Sequence, residues 1–241
     1  QGINRYFGWY EKTIQDVEPW IQHLEEKYPD HKVILAEYGA EGNIEQQVEI
    51  VGDFGDCCGP TKNYNETFQT KFHEIQWGYI YTHPYLIASY VWNTFDFATP
   101  ESFQGGVQAR NMKGLVSFDR KVKKDAFFWY KANWSKEPVL YITQRRVVNR
   151  GNEFTSVTIY SNVGVPTLTV NNKPIREYKK GTTDVHYIFE NVKLKRGRNT
   201  IKTSANINGK KIEDTIIWNY QPDTKIEKII TKERTDEHIG L

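Results

Sequence analysis

The chain has 241 residues, 38% of them hydrophobic and 26% charged, with a net charge of +2. That composition supports a packed core of one or two domains and excludes an intrinsically disordered chain. The absence of any apolar run of 18 residues excludes a transmembrane helix. The charge is split, with net −5 over residues 1–135 and net +7 over residues 136–241. The basic half has no Arg-rich run and spreads its charge along alternating segments. That fits a solvated strand face better than a nucleic-acid surface, and the change near residue 136 reads as a domain boundary. Six of the seven Trp precede residue 135; Trp and Tyr stack on flat ligand faces, sugars included, or fill a large core. With Gln1-Gly2-Ile3 at the start and Met112 the single methionine, the chain is expected to be a processed or cut piece of a longer one, whose leader would lie out of view.

In chain order, the spacing of Val17, Trp20, Ile21, Leu24 and Tyr28 predicts a helix over 14–28, capped by Thr13 or Asp16. Val33 to Ala36 is a short apolar run expected to form a strand buried on both faces. A loop over 38–64 follows, long enough to suggest function. It holds the adjacent Cys57 and Cys58, whose spacing does not fit zinc. They read as loop residues or a strained vicinal disulfide and leave the compartment open. Asn65 is placed to cap a second helix over 66–82, with Phe68, Phe72, Ile75 and Tyr79 on one stripe. Leu86 to Trp92 reads as another buried strand, a Gly-containing loop runs to about residue 113, and Asp125 to Trp134 reads as a last helix. Strands alternating with helices imply parallel pairing through crossovers. After Pro138 the period becomes two, in Val157/Ile159, Leu168/Val170, Val185/Tyr187/Phe189 and Ile212/Ile216/Trp218, and Asn208-Gly209 signals a type I′ hairpin. A β-sandwich is expected there, with residues 222–241 a charged linker or tail.

Parallel α/β sheets carry their chemistry at the C-terminal ends of strands. Glu37 lies there, directly after the first apolar strand, where a carboxylate is costly unless hydrogen-bonded or functional. It reads either as a catalytic acid or as a structural carboxylate that caps backbone or pairs with Arg5. Glu41, four residues on, reads as a partner carboxylate or as a solvated loop acid.

Several motifs then resemble glycoside hydrolase family 2, which holds β-galactosidases, β-glucuronidases and β-mannosidases. They are Asn4-Arg5-Tyr6-Phe7-Gly8-Trp9-Tyr10, Ala36-Glu37-Tyr38-Gly39, Val91-Trp92-Asn93-Thr94-Phe95-Asp96-Phe97, Asn111-Met112-Lys113-Gly114-Leu115-Val116 with Asp119-Arg120-Lys121, and the stretch Asp125 to Trp134. The resemblance implies that residues 1–137 are the C-terminal part of a TIM (β/α)8 barrel. Residues 138–221, through Val170-Asn171-Asn172-Lys173 and Gly197-Arg198-Asn199, resemble an immunoglobulin-like β-sandwich.

What the resemblance implies for chemistry is a retaining exo-β-glycosidase with two carboxyl groups about 5–5.5 Å apart. Glu37 would be the nucleophile and Tyr6 its hydrogen-bonding partner. Trp92 would wall the sugar or pack in the barrel core, and Asn4 and Asn93 would face sugar hydroxyls. Asn111-x-Lys113 fits the pattern with which glucuronidases hold a sugar carboxylate, although Lys113 also reads as a solvated rim cation. The Asp125–Trp134 ending favours a β-galactosidase. The family's general acid/base, a Glu after Asn, falls upstream of residue 1. Asn65-Glu66 and Asn152-Glu153 do not match its place and read as a helix cap and a loop acid. The isolated chain is therefore expected to be inactive. No cofactor is expected in this segment, with a metal ion of the full-length parent held upstream. The expected partners are a β-linked glycoside and the N-terminal domains of the same chain, with no nucleic acid and no membrane. A reading from another class is a non-catalytic carbohydrate-binding or structural module.

Overall fold

The computed structural model describes residues 1–46, 48–49, 64–222 and 224. Cys57, Cys58 and nearly all of the tail beyond residue 222 lie outside these residues.

The first part carries a three-stranded parallel sheet in the order β1 (Gly2–Asn4), β2 (Val33–Tyr38), β3 (Leu86–Val91). Between β1 and β2 runs α1 (Val17–Lys27), preceded by a 3-10 turn over Ile14–Asp16. The α-helix starts three residues later than the periodicity predicts because Pro19 has no N–H to offer the carbonyl of Gln15. Thr13 closes the turn by donating its N–H and Oγ1 to Asp16 Oδ2 at 2.8 and 2.6 Å. Between β2 and β3 runs α2 (Glu66–Thr82), capped by Asn65, whose Oδ1 accepts the N–H of Phe68 at 2.7 Å. β4 (Phe97–Ala98) and β5 (Arg110–Asn111) pair as a small antiparallel ribbon inside the predicted Gly loop, and α3 (Asp125–Trp134) follows.

Two strand expectations change. β2 runs two residues further than Ala36, so Glu37 sits within the strand's last pair of residues, opposite Asn4 of β1. β3 is not buried on both faces: it is a sheet edge among the described residues, and Ile87 and Tyr90 are exposed. The three parallel strands do not close on themselves.

The second part is a two-sheet sandwich. One sheet has the order β10 (Lys173–Ile175), β9 (Thr167–Val170), β13 (Gly197–Ile207), β14 (Lys210–Tyr220), β7 (Asn149–Arg150). The other is β11 (Lys179–Lys180), β12 (His186–Lys193), β8 (Phe154–Ser161), β6 (Leu140–Ile142). The β13–β14 hairpin turns at Asn208 and Gly209, both at positive φ (49° and 78°), the backbone a type I′ turn demands. Ile142, Val157, Ile159, Leu168, Phe189, Ile201 and Trp218 form its core. Among the described residues the chain is thus β-rich, with helices confined to the first part.

The two cores meet across a polar seam. Tyr141 and Tyr160 leave the sandwich to join the first core, where Tyr160 packs on Trp129 at 5.1 Å. Tyr160 donates to Glu74 at 2.6 Å and Tyr141 to Asp125 at 2.6 Å. Arg146, on the sandwich side, bridges Glu66 and Asp125 and lies 2.9 Å from the latter. Asn65-Glu66 therefore serves as a helix cap and a seam acid.

Candidate active site

The end of β2 is pressed against the start of the loop after β3. Trp92 N–H donates to Tyr38 O at 2.8 Å, and a Cβ placed on Gly39 would meet Trp92 O at 2.1 Å. Only glycine permits that approach. It brings Glu37 and Trp92, 55 positions apart in sequence, to one end of the sheet.

Tyr6, just past β1, donates its hydroxyl to Glu37 Oε2 at 2.8 Å. Burial, then the bond to Glu37, raises the Tyr6 hydroxyl well above the ordinary phenol range, so it stays a proton donor. Arg5 does not pair with the Glu37 carboxylate. Its guanidinium lies 3.2 Å from Glu11, and only its backbone N–H reaches Glu37, at the carbonyl. Asn4 is exposed on β1, beside Glu37 in register. Trp92 keeps 36% of its surface open among the described residues and meets Phe97 edge-on at 5.9 Å. The Trp92–Asn93 peptide bond is cis. Asn93 accepts from Phe95 N–H at 2.8 Å and, through its backbone, pairs with Lys113 and Leu115. Asn111 turns its Oδ1 onto the N–H of Lys113 at 3.0 Å.

Two sequence readings change here. Lys113 is not a solvated rim cation: it is 1% exposed. Its ammonium donates to Tyr10 Oη at 2.7 Å and lies over the rings of Tyr10, Trp9 and Tyr6 at 4.8, 5.4 and 5.8 Å. Glu41 is not a solvated loop acid: it is 5% exposed, accepts from Met112 N–H at 2.9 Å and stands 3.4 Å from the Lys113 ammonium. The reason is the path of residues 39–42, directly after β2, which run against the segment 111–114 instead of out into solvent.

Residues that sequence reasoning did not single out hold this segment. Gln69 of α2, fully buried, donates to Ala40 O at 2.8 Å and reaches toward Met112 O and Gly114 O. Lys124, also fully buried, bonds Asp96 at 2.8 Å and Met112 O at 2.9 Å. Burial pushes the Asp96 carboxyl up and the Lys124 ammonium down, each opposed by the charge of the other. The only advance signal was a Gln inside an apolar helical stretch and an Asp and a Lys flanking otherwise apolar motifs.

A cleft of about 560 Å³ between α2 and the sandwich, lined by Thr70, Lys71, Thr143, Phe154 and Thr158, lies away from Glu37, Tyr6 and Lys113. Among the described residues no three His, Cys, Asp or Glu side chains are grouped to hold a metal ion, and no helix is long and apolar enough to cross a membrane.

No family model matches the chain. It is 32% identical over 225 residues to a β-glucuronidase of Bacteroides fragilis, covering 91% of this chain and 31% of that protein. A solved structure from Bacteroides fragilis, provisionally assigned as a β-galactosidase, is 55% identical with a TM-score of 0.88, over 91% of this chain and 32% of that one. An FMN-binding β-glucuronidase of Faecalibacterium prausnitzii L2-6 is 34% identical with a TM-score of 0.81, over 92% and 32% of the two chains. The chain thus spans about a third of the length of the relatives it matches. With these relatives, the chain belongs to the β-galactosidase- and β-glucuronidase-like glycoside hydrolases of family 2, as a C-terminal portion of such a protein.

Proposed function

We propose that this chain supplies the nucleophile side of the active site of a retaining exo-β-glycosidase. The observation that carries this reading is the Tyr6–Glu37 hydrogen bond at the C-terminal end of a parallel strand, with the Lys113 ammonium against the same tyrosine ring. In this reading β1, β2 and β3 are consecutive strands of a (β/α)8 barrel whose remainder lies outside this segment. Residues 1–137 belong to that barrel, and 138–221 form an immunoglobulin-like sandwich behind it. Glu37 attacks the anomeric carbon while a carboxyl group from elsewhere in the full-length protein protonates the departing oxygen. The same group, now a carboxylate, takes a proton from water, and the water oxygen displaces Glu37 from the sugar. Tyr6 orients the attacking carboxylate, Trp92 offers a wall for the sugar ring, and Asn4 and Asn93 stand at its hydroxyls. This chemistry asks for no cofactor from these residues.

For the terminal sugar we favour a glucuronide. A buried ammonium beside the nucleophile's partner suits a sugar carboxylate, because charge-assisted hydrogen bonds are stronger than neutral ones. Asn111, turned onto the backbone of Lys113, belongs to the same wall. The galactoside reading draws support from the Asp125–Trp134 ending and from the 55% identical relative.

Initial rates of the full-length protein on nitrophenyl β-glucuronide and β-galactoside test both readings. Glu37→Gln should abolish turnover, and Lys113→Ala should remove glucuronide activity selectively. Undiminished turnover by Glu37→Gln would overturn the assignment of Glu37 as nucleophile. The isolated 241-residue chain should show no turnover, since loss of general acid catalysis alone removes roughly 10²–10⁴-fold in rate.

A further inference from the structure

Glu41 does two things at once. Its Oε2 takes the N–H of Met112 at 2.9 Å while Gly42 N–H donates back to Met112 O at 2.9 Å, so the loop after β2 and the segment 111–113 are stitched in both directions. Its Oε1 stands 3.4 Å from the Lys113 ammonium, which is otherwise held by the Tyr10 hydroxyl and three aromatic faces. An ammonium has three donors. Tyr10 and Glu41 satisfy two directions, and the contact to Glu41 is long enough for a second carboxylate to share the charge.

We propose that Glu41 is a positioning residue for anionic sugars: it holds the Lys113 ammonium at the site, so that selectivity for a uronate depends on a residue that does not touch the sugar. This rests on the glucuronide reading above. A lysine on a flexible four-carbon stem stays buried only while its charge is paired. Without the Glu41 charge the ammonium turns outward to water, and the uronate loses its partner while Glu37 and Tyr6 stay in place.

The test uses the full-length enzyme and nitrophenyl β-glucuronide, with Glu41→Gln, Lys113→Met and the double variant. Glu41→Gln keeps an acceptor for Met112 N–H and removes only the charge, and its unfolding midpoint checks that the fold persists. The expected result is a KM raised about tenfold or more with kcat changed much less, the scale of one charge-assisted hydrogen bond. The double variant should be no worse than Lys113→Met alone, because Glu41 acts through Lys113. An unchanged KM in Glu41→Gln, with Lys113→Met strongly impaired, would overturn the proposal and leave the glucuronide reading standing. If Lys113→Met itself leaves the glucuronide KM unchanged, the glucuronide reading fails and the proposal with it. Equal losses in the two single variants that add in the double variant would also overturn it, since the two residues would then act independently.

Discussion

Replacing Arg146 by Met removes the cation that bridges the buried pair Glu66 and Asp125 at the seam between the α/β part and the sandwich. The carboxylates are 7% and 2% exposed and the guanidinium 22%. Deleting one partner of a buried ion pair costs about 3–5 kcal/mol, and the partial exposure of Arg146 argues for the lower end. For a body of this size about 3 kcal/mol lowers the unfolding midpoint by roughly 6–12 °C. Burial and the charge of Glu66 raise the Asp125 carboxyl from its ordinary 3.8 to about 6. A carboxyl whose folded value exceeds its unfolded one binds its proton more tightly when folded. It therefore favours folding at low pH and turns against it as pH rises through the window from 3.8 to about 6. The charge of Arg146 holds the Asp125 carboxyl down; without it that carboxyl moves further up, so the deficit should be greatest at pH 7.5 and smaller at pH 5. Thermal unfolding of the purified chain at both pH values, followed by tryptophan fluorescence, measures this, with Trp129 placed on the seam beside Tyr160. A shift under about 2 °C at pH 7.5, or a deficit that grows toward pH 5, would refute the argument.

Tyr6→Phe removes one hydrogen bond to a charged carboxylate. It should lower kcat/KM of the full-length enzyme roughly 10–100-fold on whichever glycoside it prefers, leaving the unfolding midpoint nearly unchanged. His73 is fully buried, with Nδ1 2.8 Å from Tyr130 Oη, which in turn donates to Tyr38 at 3.0 Å. Burial, with the nearby Lys124 charge, lowers its value from 6.5 to about 3. A base depressed on folding contributes stability above its unfolded value that is lost as pH falls, here from 6.5 toward 3. His73→Gln should therefore lose less stability than the parent between pH 7 and 4, by at least about 1 kcal/mol in urea unfolding; an unchanged acid slope would rule this out.

Helices α1 and α2 were legible because their apolar residues recur at helical spacing, and the Asn65 cap because its side chain serves a donor only three residues away. The alternating segments after residue 138 announced strands for the same local reason. β3 was misread as buried because Leu86 to Trp92 is apolar throughout, and composition does not say which face of a strand is covered. Glu37 could be singled out because a carboxylate closing an apolar strand conflicts with its surroundings unless something binds it. Glu41 and Lys113 could be suspected but not placed. Nothing within a few residues of either says whether its charge is solvated.

What the sequence by itself determined, then, is whatever consecutive residues encode: helix and strand identities, the Asn208-Gly209 turn, the change of period at 138 and a carboxylate at a strand end. What only the tertiary structure decided is the pairing of charges far apart in the chain, Glu41 with Lys113, Asp96 with Lys124 and Glu66 with Arg146. Such pairs form because packing removes both partners from water together, and an unpaired buried charge is too costly to keep. That cost belongs to the surroundings of a residue rather than to its neighbours in sequence, so no local pattern announces it.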